Sequence, residues 1–185
     1  MAHRLCPWWL GYLLASPVRR WFQNPCALLQ PMVREGMTVL EPGPGMGFFT
    51  LELARLVGPN GRVVAIDVQL RMLAGLARRA ARAGLAERIE TRQAQADRLG
   101  TDDLEAKVDF VLAFAMVHEL PDQVGFFVET ARALKPGAQM LVAEPHGHVT
   151  KEAFAKTLAL ADQVGLSLGS EPIIRSSCAA LLHKR

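Results

Sequence analysis

Cysteine is scarce in this sequence, and no two cysteines are spaced as a metal-binding or redox pair. The 185 residues include only Cys6, Cys26 and Cys178. An odd number without a Cys-x-x-Cys pair argues against a disulfide framework and against a zinc site. We therefore expect no bound metal, and a reducing cytoplasm as the location.

Long hydrophobic runs are also lacking. The longest candidate is a short apolar stretch after Arg4, within residues 1–20. Pro7 interrupts it, no small-residue cleavage site follows, and it is too short to span a bilayer. The sequence therefore predicts neither a secretory leader nor a transmembrane segment.

Basic residues are not concentrated in any one tract. Lysine and arginine total 21 against 18 acidic residues, which gives a net charge of +3. The arginines are spread over several segments, so DNA binding is not indicated. Half of the residues are hydrophobic, which is typical of an ordinary globular chain. This length favours one well-buried core with a short N-terminal arm.

Strand-like and helix-like segments alternate regularly after residue 36. This alternation predicts βαβ units and a parallel sheet covered on both faces. The apolar runs "VLAFA" and "MLVA" agree, because buried parallel strands lose polar alternation. The predicted strands are 37–41, 61–68, 88–94, 108–115 and 138–145, and the helices between and after them lie within 47–57, 69–84, 121–134 and 150–165.

The tail holds two further strand candidates, 166–174 and 176–184, separated by a turn at Arg175. Strands joined so closely can pair only antiparallel. The predicted fold is therefore α/β, a doubly wound, mostly parallel seven-stranded sheet with helices on both faces and a C-terminal antiparallel hairpin.

The stretch "VLEPGPGMGFFT", residues 39–50, places a glycine-rich turn after the first strand, where open α/β sheets bind ligands. A dinucleotide fingerprint needs a third glycine at position 48, which is Phe48 here. Glu41 at the mouth of the loop would repel a pyrophosphate and attract an ammonium group. The alternative is a tight turn that binds nothing.

Two more carboxylates follow the next strands. Asp67 ends the second strand, where an acidic side chain typically accepts the ribose hydroxyls of a nucleotide. Asp97 follows the third strand, within reach of an adenine amino group. The alternatives are a helix N-cap for Asp67 and a plain loop aspartate for Asp97.

At these residues the sequence resembles the Rossmann-like, class I S-adenosylmethionine-dependent methyltransferases. "VLEPGPGMGFFT" is similar to their first motif, "VVAIDV" to the ribose-binding strand end, "AQADRLG" to the adenine-side motif, and "LKPGAQMLVAEP" to the turn and fifth strand. The resemblance covers about residues 32 to 185 and implies S-adenosylmethionine as cofactor. The cofactor-binding residues that it implies are Glu41, Gly43, Pro44, Gly45, Gly47, Asp67, Val68, Asp97 and Ala113.

The end of the fourth strand reads "AFAMVHELPD" and lacks the Asn/Asp-Pro-Pro-Tyr/Phe motif by which base-methylating families resemble one another. His118 stands there as a candidate general base, or alternatively as a histidine that packs under the cofactor loop. His146 is a candidate substrate residue just past the fifth strand. His146 and His148 lack a clear third partner for a metal.

The N-terminal arm concentrates the aromatic residues, among them Trp8 and Tyr12 as candidate substrate contacts. We predict residues 1–30 as an arm or lid and 31–185 as the methyltransferase domain. In related methyltransferases such a segment often covers the cofactor. The alternatives are simple packing against the sheet and a peripheral membrane contact through basic residues.

Taken together, the residues and the resemblance predict a methyltransferase that acts on a small-molecule acceptor, as a monomer or a homodimer. Alternatives are an RNA or protein methyltransferase and a non-catalytic S-adenosylmethionine-binding module. Cys6 and Cys26 alone do not make the wider cysteine pattern of arsenite methyltransferases.

Overall fold

The computed structural model describes residues 23–95 and 97–185. Its strands form a seven-stranded sheet in the order β3-β2-β1-β4-β5-β7-β6. The predicted mostly parallel sheet with a C-terminal antiparallel hairpin is confirmed. The strands are β1 (Thr38–Pro42), β2 (Arg62–Asp67), β3 (Ile89–Gln93), β4 (Val108–Phe114), β5 (Leu134–Pro145), β6 (Leu166–Ser170) and β7 (Ser177–Lys184).

The chain divides into two compact units, and the first contains the described residues up to Ala94. Its three strands are parallel, with Glu41 opposite Ala65 and Asp67 opposite Gln93. Strands β1 and β2 are almost fully buried, because apolar side chains occupy successive positions rather than alternate ones. The helices of this unit are α1 (Pro25–Leu29), α2 (Thr50–Leu56) and α3 (Leu70–Arg82).

The second unit contains the described residues from Gln95 onward. Strands β4 and β5 are parallel, and β7 runs antiparallel to both β5 and β6. Its helices are α4 (Gln123–Ala133) and α5 (Lys151–Gln163). Both begin with a side-chain cap, in which Asp122 accepts from the Gly125 N–H and Thr150 from the Ala153 N–H.

The start of β5 differs from the prediction. The composition of "LKPGAQ" predicts the end of a helix and a turn before a strand at 138. Instead the helix ends at Ala133 and β5 begins at Leu134. Val108 pairs with Leu134 whereas Phe110 already pairs with Gln139, so the segment forms a bulge inside the strand. The left-handed conformation of Gly137, at φ +74°, permits that bulge.

In residues 23–95 and 97–185 no helix is long and apolar enough to cross a membrane.

Candidate functional site

The glycine loop leaves β1 at Pro42 and reaches α2 at Thr50. Gly43, Gly45 and Gly47 all have positive φ, at +68°, +55° and +84°. L-residues with a side chain rarely adopt this region, so the alternating glycines are what allow the chain to turn this sharply. The Gly43 N–H donates to the Ile66 carbonyl at 2.8 Å, which joins the loop to β2.

Gly45 and Gly47 differ in what surrounds them. A Cβ added at Gly47 would lie 2.4 Å from the Leu76 Cδ1 atom, so this glycine lets α3 approach the loop. A Cβ added at Gly45 would meet nothing within 4 Å among the described residues. Gly47 therefore serves packing, whereas the Gly45 backbone faces open space that a ligand can approach. The buried Pro44 carbonyl accepts from the Gly47 N–H at 3.0 Å and closes the turn.

Glu41 is a buried carboxyl group, only 3% exposed, at the end of β1. Its Oε2 atom has no hydrogen-bond partner among the described residues. Burial raises its pKa from 4.5 to about 8, the nearby Thr50 hydroxyl lowers it in part, and the negative charge of Asp67 raises it further. Without a ligand, this group is therefore mainly protonated at neutral pH.

Asp67 ends β2 and is also buried. Its Oδ1 atom accepts a hydrogen bond from the Gln69 N–H at 2.8 Å. The alternative that Asp67 is the N-cap of the next helix is wrong, because Gln69 occupies that position and no side chain caps the helix. Val68, which follows Asp67, accepts a hydrogen bond at its carbonyl from the Gln93 side chain at 3.3 Å.

Asp97 lies in the second unit, exposed in a turn that the Gln95 and Arg98 backbones close by mutual hydrogen bonds. The next three residues are fixed from α4, because the Glu129 carboxylate accepts from the backbone N–H groups of Leu99, Gly100 and Thr101 at 2.9 to 3.4 Å. Sequence reasoning missed Glu129, since its position within a helix gives no sign of a contact with a loop 28 to 30 residues away.

Ala113 is fully buried in β4, so its methyl group is part of the core. A bound molecule would meet only its backbone.

His118 lies just past β4, in a short 3₁₀ helix over Val117–Glu119. The chain leaves β4 through Ala115, whose φ of +57° is unusual for a residue with a side chain. The His118 Nδ1 atom is 2.5 Å from the Oε2 atom of Glu144 on β5. Glu144 is 1% exposed, and its Oε1 atom accepts from the Val117 N–H at 2.7 Å.

The contact with Glu144 raises the pKa of His118, chiefly through the hydrogen bond between them; burial opposes the rise, and the charges of Glu144 and Glu119 add to it. The His148 Nδ1 atom lies 3.3 Å from the His118 Nε2 atom. His146, which the sequence proposed for substrate contact, donates its backbone N–H to Ser176. Sequence reasoning had not assigned a role to Glu144.

The candidate substrate residues Trp8 and Tyr12 lie outside the described residues, as does most of the predicted lid. Within residues 23–95 and 97–185, no three His, Cys, Asp or Glu side chains are grouped so that they could hold a metal ion.

Comparison with known proteins places the chain in a family. The family model described as "Methyltransferase domain" matches residues 33–173. Over 125 residues the chain is 34% identical to the ubiquinone/menaquinone biosynthesis C-methyltransferase UbiE of Hahella chejuensis. This alignment covers 66% of this chain and 49% of that protein. It is 30% identical over 109 residues to the arsenite methyltransferase of Halobacterium salinarum, covering 59% and 27%. The matched segments thus span half or less of these relatives.

A solved structure agrees with the assignment of the fold. An S-adenosylmethionine-dependent methyltransferase from Aquifex aeolicus superposes with a TM-score of 0.87 at 24% identity, over 98% of this chain and all of that one. The fold and the family model lead to the same conclusion: the chain belongs to the S-adenosylmethionine-dependent methyltransferase family of the class I fold.

Proposed function

We propose that this protein transfers the methyl group of S-adenosylmethionine to a small-molecule acceptor. The observation that carries the proposal is the Glu41 carboxyl group, which is buried with an Oε2 atom that no described residue satisfies. A buried polar atom without a partner costs roughly 1 to 3 kcal/mol. Such an atom in a native protein calls for an explanation, and a bound ligand supplies one.

The chemistry of these residues fits S-adenosylmethionine. The amino-acid end of this cofactor carries an ammonium group, which would give Glu41 a donor and a positive charge. A pyrophosphate in the same place would meet two carboxyl groups, since Glu41 and Asp67 end the neighbouring strands β1 and β2. The fit therefore favours a cationic ligand over a dinucleotide.

In this proposal each residue of the first unit has a distinct task. Glu41 receives the ammonium group, and the open backbone at Gly45 lets the ligand approach closely. Asp67 receives the ribose hydroxyls, while its bond to the Gln69 N–H holds its side chain in place. When bound, the cofactor supplies a methyl carbon already activated by a sulfonium, so the protein has mainly to align the acceptor and exclude water.

In the second unit, Glu129 holds the loop that follows Asp97 in position, and Asp97 as an adenine contact stays a prediction. The arm over residues 1–30 stays a prediction, as lid, packing element or membrane contact. A cytoplasmic location belongs to the same proposal, supported by the free thiols of Cys26 and Cys178.

The relatives support a small-molecule acceptor. UbiE is named for ubiquinone and menaquinone biosynthesis, and the other relative is named for arsenite. Neither name refers to a nucleic acid or a protein. The alternatives are an RNA or protein methyltransferase and a module that binds S-adenosylmethionine without catalysis.

A turnover assay tests the proposal. The full chain is incubated with S-adenosylmethionine and a panel of quinols, phenols, thiols and arsenite, and release of S-adenosylhomocysteine is measured. The proposal expects release that depends on one class of small acceptor. Binding of S-adenosylhomocysteine without any turnover would favour the non-catalytic module, and turnover only with added RNA or protein would favour the macromolecular alternative.

A further inference from the structure

Three side chains of the second unit form a chain of ring and carboxylate contacts that leads from the core to the surface. Glu144 is buried, His118 is half-buried and His148 is exposed. The Glu144 Oε2 atom lies 2.5 Å from the His118 Nδ1 atom, and the His118 Nε2 atom lies 3.3 Å from the His148 Nδ1 atom. The rings of His118 and His148 meet edge to face.

The hydrogen bonds determine where the protons sit when both rings are neutral. A carboxylate only accepts, so His118 must carry its proton on Nδ1 and accept at Nε2. His148 must then donate from its own Nδ1 atom to His118. The one lone pair left over is on the His148 Nε2 atom, at the exposed end.

We propose that the His148 Nε2 atom is the general base that takes a proton from the methyl acceptor, and that Glu144 and His118 position it. This inference rests on the proposed methyl transfer and names the class of acceptor. His118, the candidate base from the sequence, becomes a positioning residue, because the His148 ring occupies its Nε2 side.

Proton transfer to His148 accompanies the methyl transfer. The acceptor loses the proton of an X–H bond to His148 Nε2, and the freed electron pair forms the bond from X to the methyl carbon. The carbon–sulfur pair stays on sulfur, which becomes a neutral thioether. The positive charge on His148 is shared with His118 when the proton between their rings shifts to His118 Nε2, and buried Glu144 stabilises it there. The proton finally leaves to water from the exposed ring.

A base is useful only if the acceptor atom carries a proton that must be lost. The acceptor class is therefore a hydroxyl group or an acidic ring carbon, as in phenols and quinols. An acceptor with a free lone pair, such as a thiolate, would gain nothing from His148. General-base assistance typically contributes about 10² to 10⁴ in rate.

Among residues 23–95 and 97–185, the charged and titratable groups that face His118 come from three elements. They are Glu144 on β5, His148 after β5, and Glu119 on the 3₁₀ helix of His118 itself. The turn is held from α4 and α5 by neutral groups, since the Gln123 side chain donates to the Val117 carbonyl and accepts from the Thr157 hydroxyl. The two acidic groups, Glu144 and Glu119, both favour the protonated form of His118.

The first test reads the protons directly, without an acceptor. Two-bond ¹H–¹⁵N spectra of the full chain at high pH report which nitrogen of each neutral ring is protonated, with His118→Asn and His148→Asn for assignment. We expect the Nδ1–H form at both histidines. Glu144→Gln should switch His118 to the Nε2–H form, because the amide nitrogen that replaces Oε2 donates and does not accept. An Nε2–H form of His118 in the wild-type protein would overturn the relay.

The second test is kinetic and uses catechol as a hydroxyl acceptor and thiophenol as an acceptor that arrives as a thiolate. His148→Ala should lower kcat for catechol at least about 100-fold while the affinity for S-adenosylhomocysteine stays within about twofold, and added imidazole should restore part of the rate. His183→Asn, which changes a histidine on β7, is the matched control and should leave kcat unchanged.

The outcomes distinguish a failure of the Glu144–His118–His148 proton relay from a failure of the proposed function. An equal loss of rate with catechol and thiophenol in His148→Ala, without rescue by imidazole, would overturn the base. Wild-type turnover of thiophenol but not of catechol would overturn the acceptor class. Turnover of neither probe, with S-adenosylhomocysteine bound, would count against the proposed function, and the ring tautomers would still decide the histidine assignment.

Discussion

Replacement of Glu41 by glutamine tests whether the buried carboxyl group is reserved for a ligand. In the ligand-free protein, burial raises the pKa of Glu41 from 4.5 to about 8. A raised folded-state pKa contributes stability that is fully present below the unfolded pKa and is lost as the pH rises through the folded pKa. The wild-type protein should therefore lose stability between about pH 4.5 and pH 8 on account of this residue.

The size of that loss follows from the shift. A shift of about 3.5 pKa units at about 1.36 kcal/mol per unit gives a loss on the order of 5 kcal/mol by pH 8. The neutral glutamine side chain of the Glu41→Gln variant does not titrate, and its amide can hydrogen-bond to the nearby Thr50 hydroxyl, as the carboxyl group does. Glu41→Gln should therefore match the wild type near pH 5 and exceed its stability at pH 8.

Urea unfolding at pH 5, 6, 7 and 8 measures the free energy of unfolding of both proteins. The other titrating groups contribute equally to the two values and cancel in their difference. Glu52→Gln is the matched control, because Glu52 is a largely buried carboxylate of the same unit that is paired with Arg55 at 2.9 Å. That variant should gain no stability at high pH. Parallel curves for Glu41→Gln and the wild type across this range would contradict this prediction, since they would mean that folding does not raise the pKa of Glu41.

Three further predictions concern the loops around the candidate site. Asp67→Ala should reduce the affinity for S-adenosylhomocysteine at least about tenfold, measured by calorimetry, because hydrogen bonds to a charged group contribute about 1.5 to 3 kcal/mol each; an unchanged affinity would limit Asp67 to its bond with the Gln69 N–H. Gly47→Ala and Gly45→Ala should both destabilise the protein in urea unfolding because both positions have positive φ, but Gly47→Ala should lose about 1 to 3 kcal/mol more because its Cβ also meets Leu76. Gly45→Ala should in addition reduce ligand affinity, and an equal or larger loss of stability in Gly45→Ala would contradict the separate roles. The Glu129 carboxylate accepts hydrogen bonds from the backbone amides of residues 99–101, so Glu129→Gln should speed the hydrogen exchange of these amides. Unchanged exchange would contradict the role of Glu129 in holding that loop.

Most of the sheet could be predicted from the sequence because β1, β2, β4 and the second half of β5 are short apolar runs, and the alternation with helix-like segments located β3, which is largely polar. The bulge at the start of β5 could not. "LKPGAQ" has the composition of a turn, and its inclusion in the strand depends on pairing with β4, where the partners of Val108 and Phe110 are Leu134 and Gln139. Local composition carries no information on such a register shift.

The candidate site was likewise predicted only in part from the sequence. Glu41, the glycines and Asp67 follow one another around two strand ends, so their spacing along the chain indicated a common site. Glu144 and His118 are 26 residues apart, and only the pairing of β4 with β5 brings them together. In the sequence His148 was considered only as a metal ligand without a clear third partner, whereas the structure places its ring against His118.

The site around Glu41 is proposed to bind S-adenosylmethionine by accepting its ammonium group. Calorimetric titration of the full chain at pH 7 with S-adenosylhomocysteine, 5′-methylthioadenosine and NAD, each in two buffers of different ionisation enthalpy, tests it most directly. With the pKa of Glu41 raised to about 8 in the free protein, we predict binding of S-adenosylhomocysteine with release of most of one proton, no such release with 5′-methylthioadenosine, which lacks the ammonium group, and no binding of NAD. Tight binding of NAD without binding of S-adenosylhomocysteine would contradict the account.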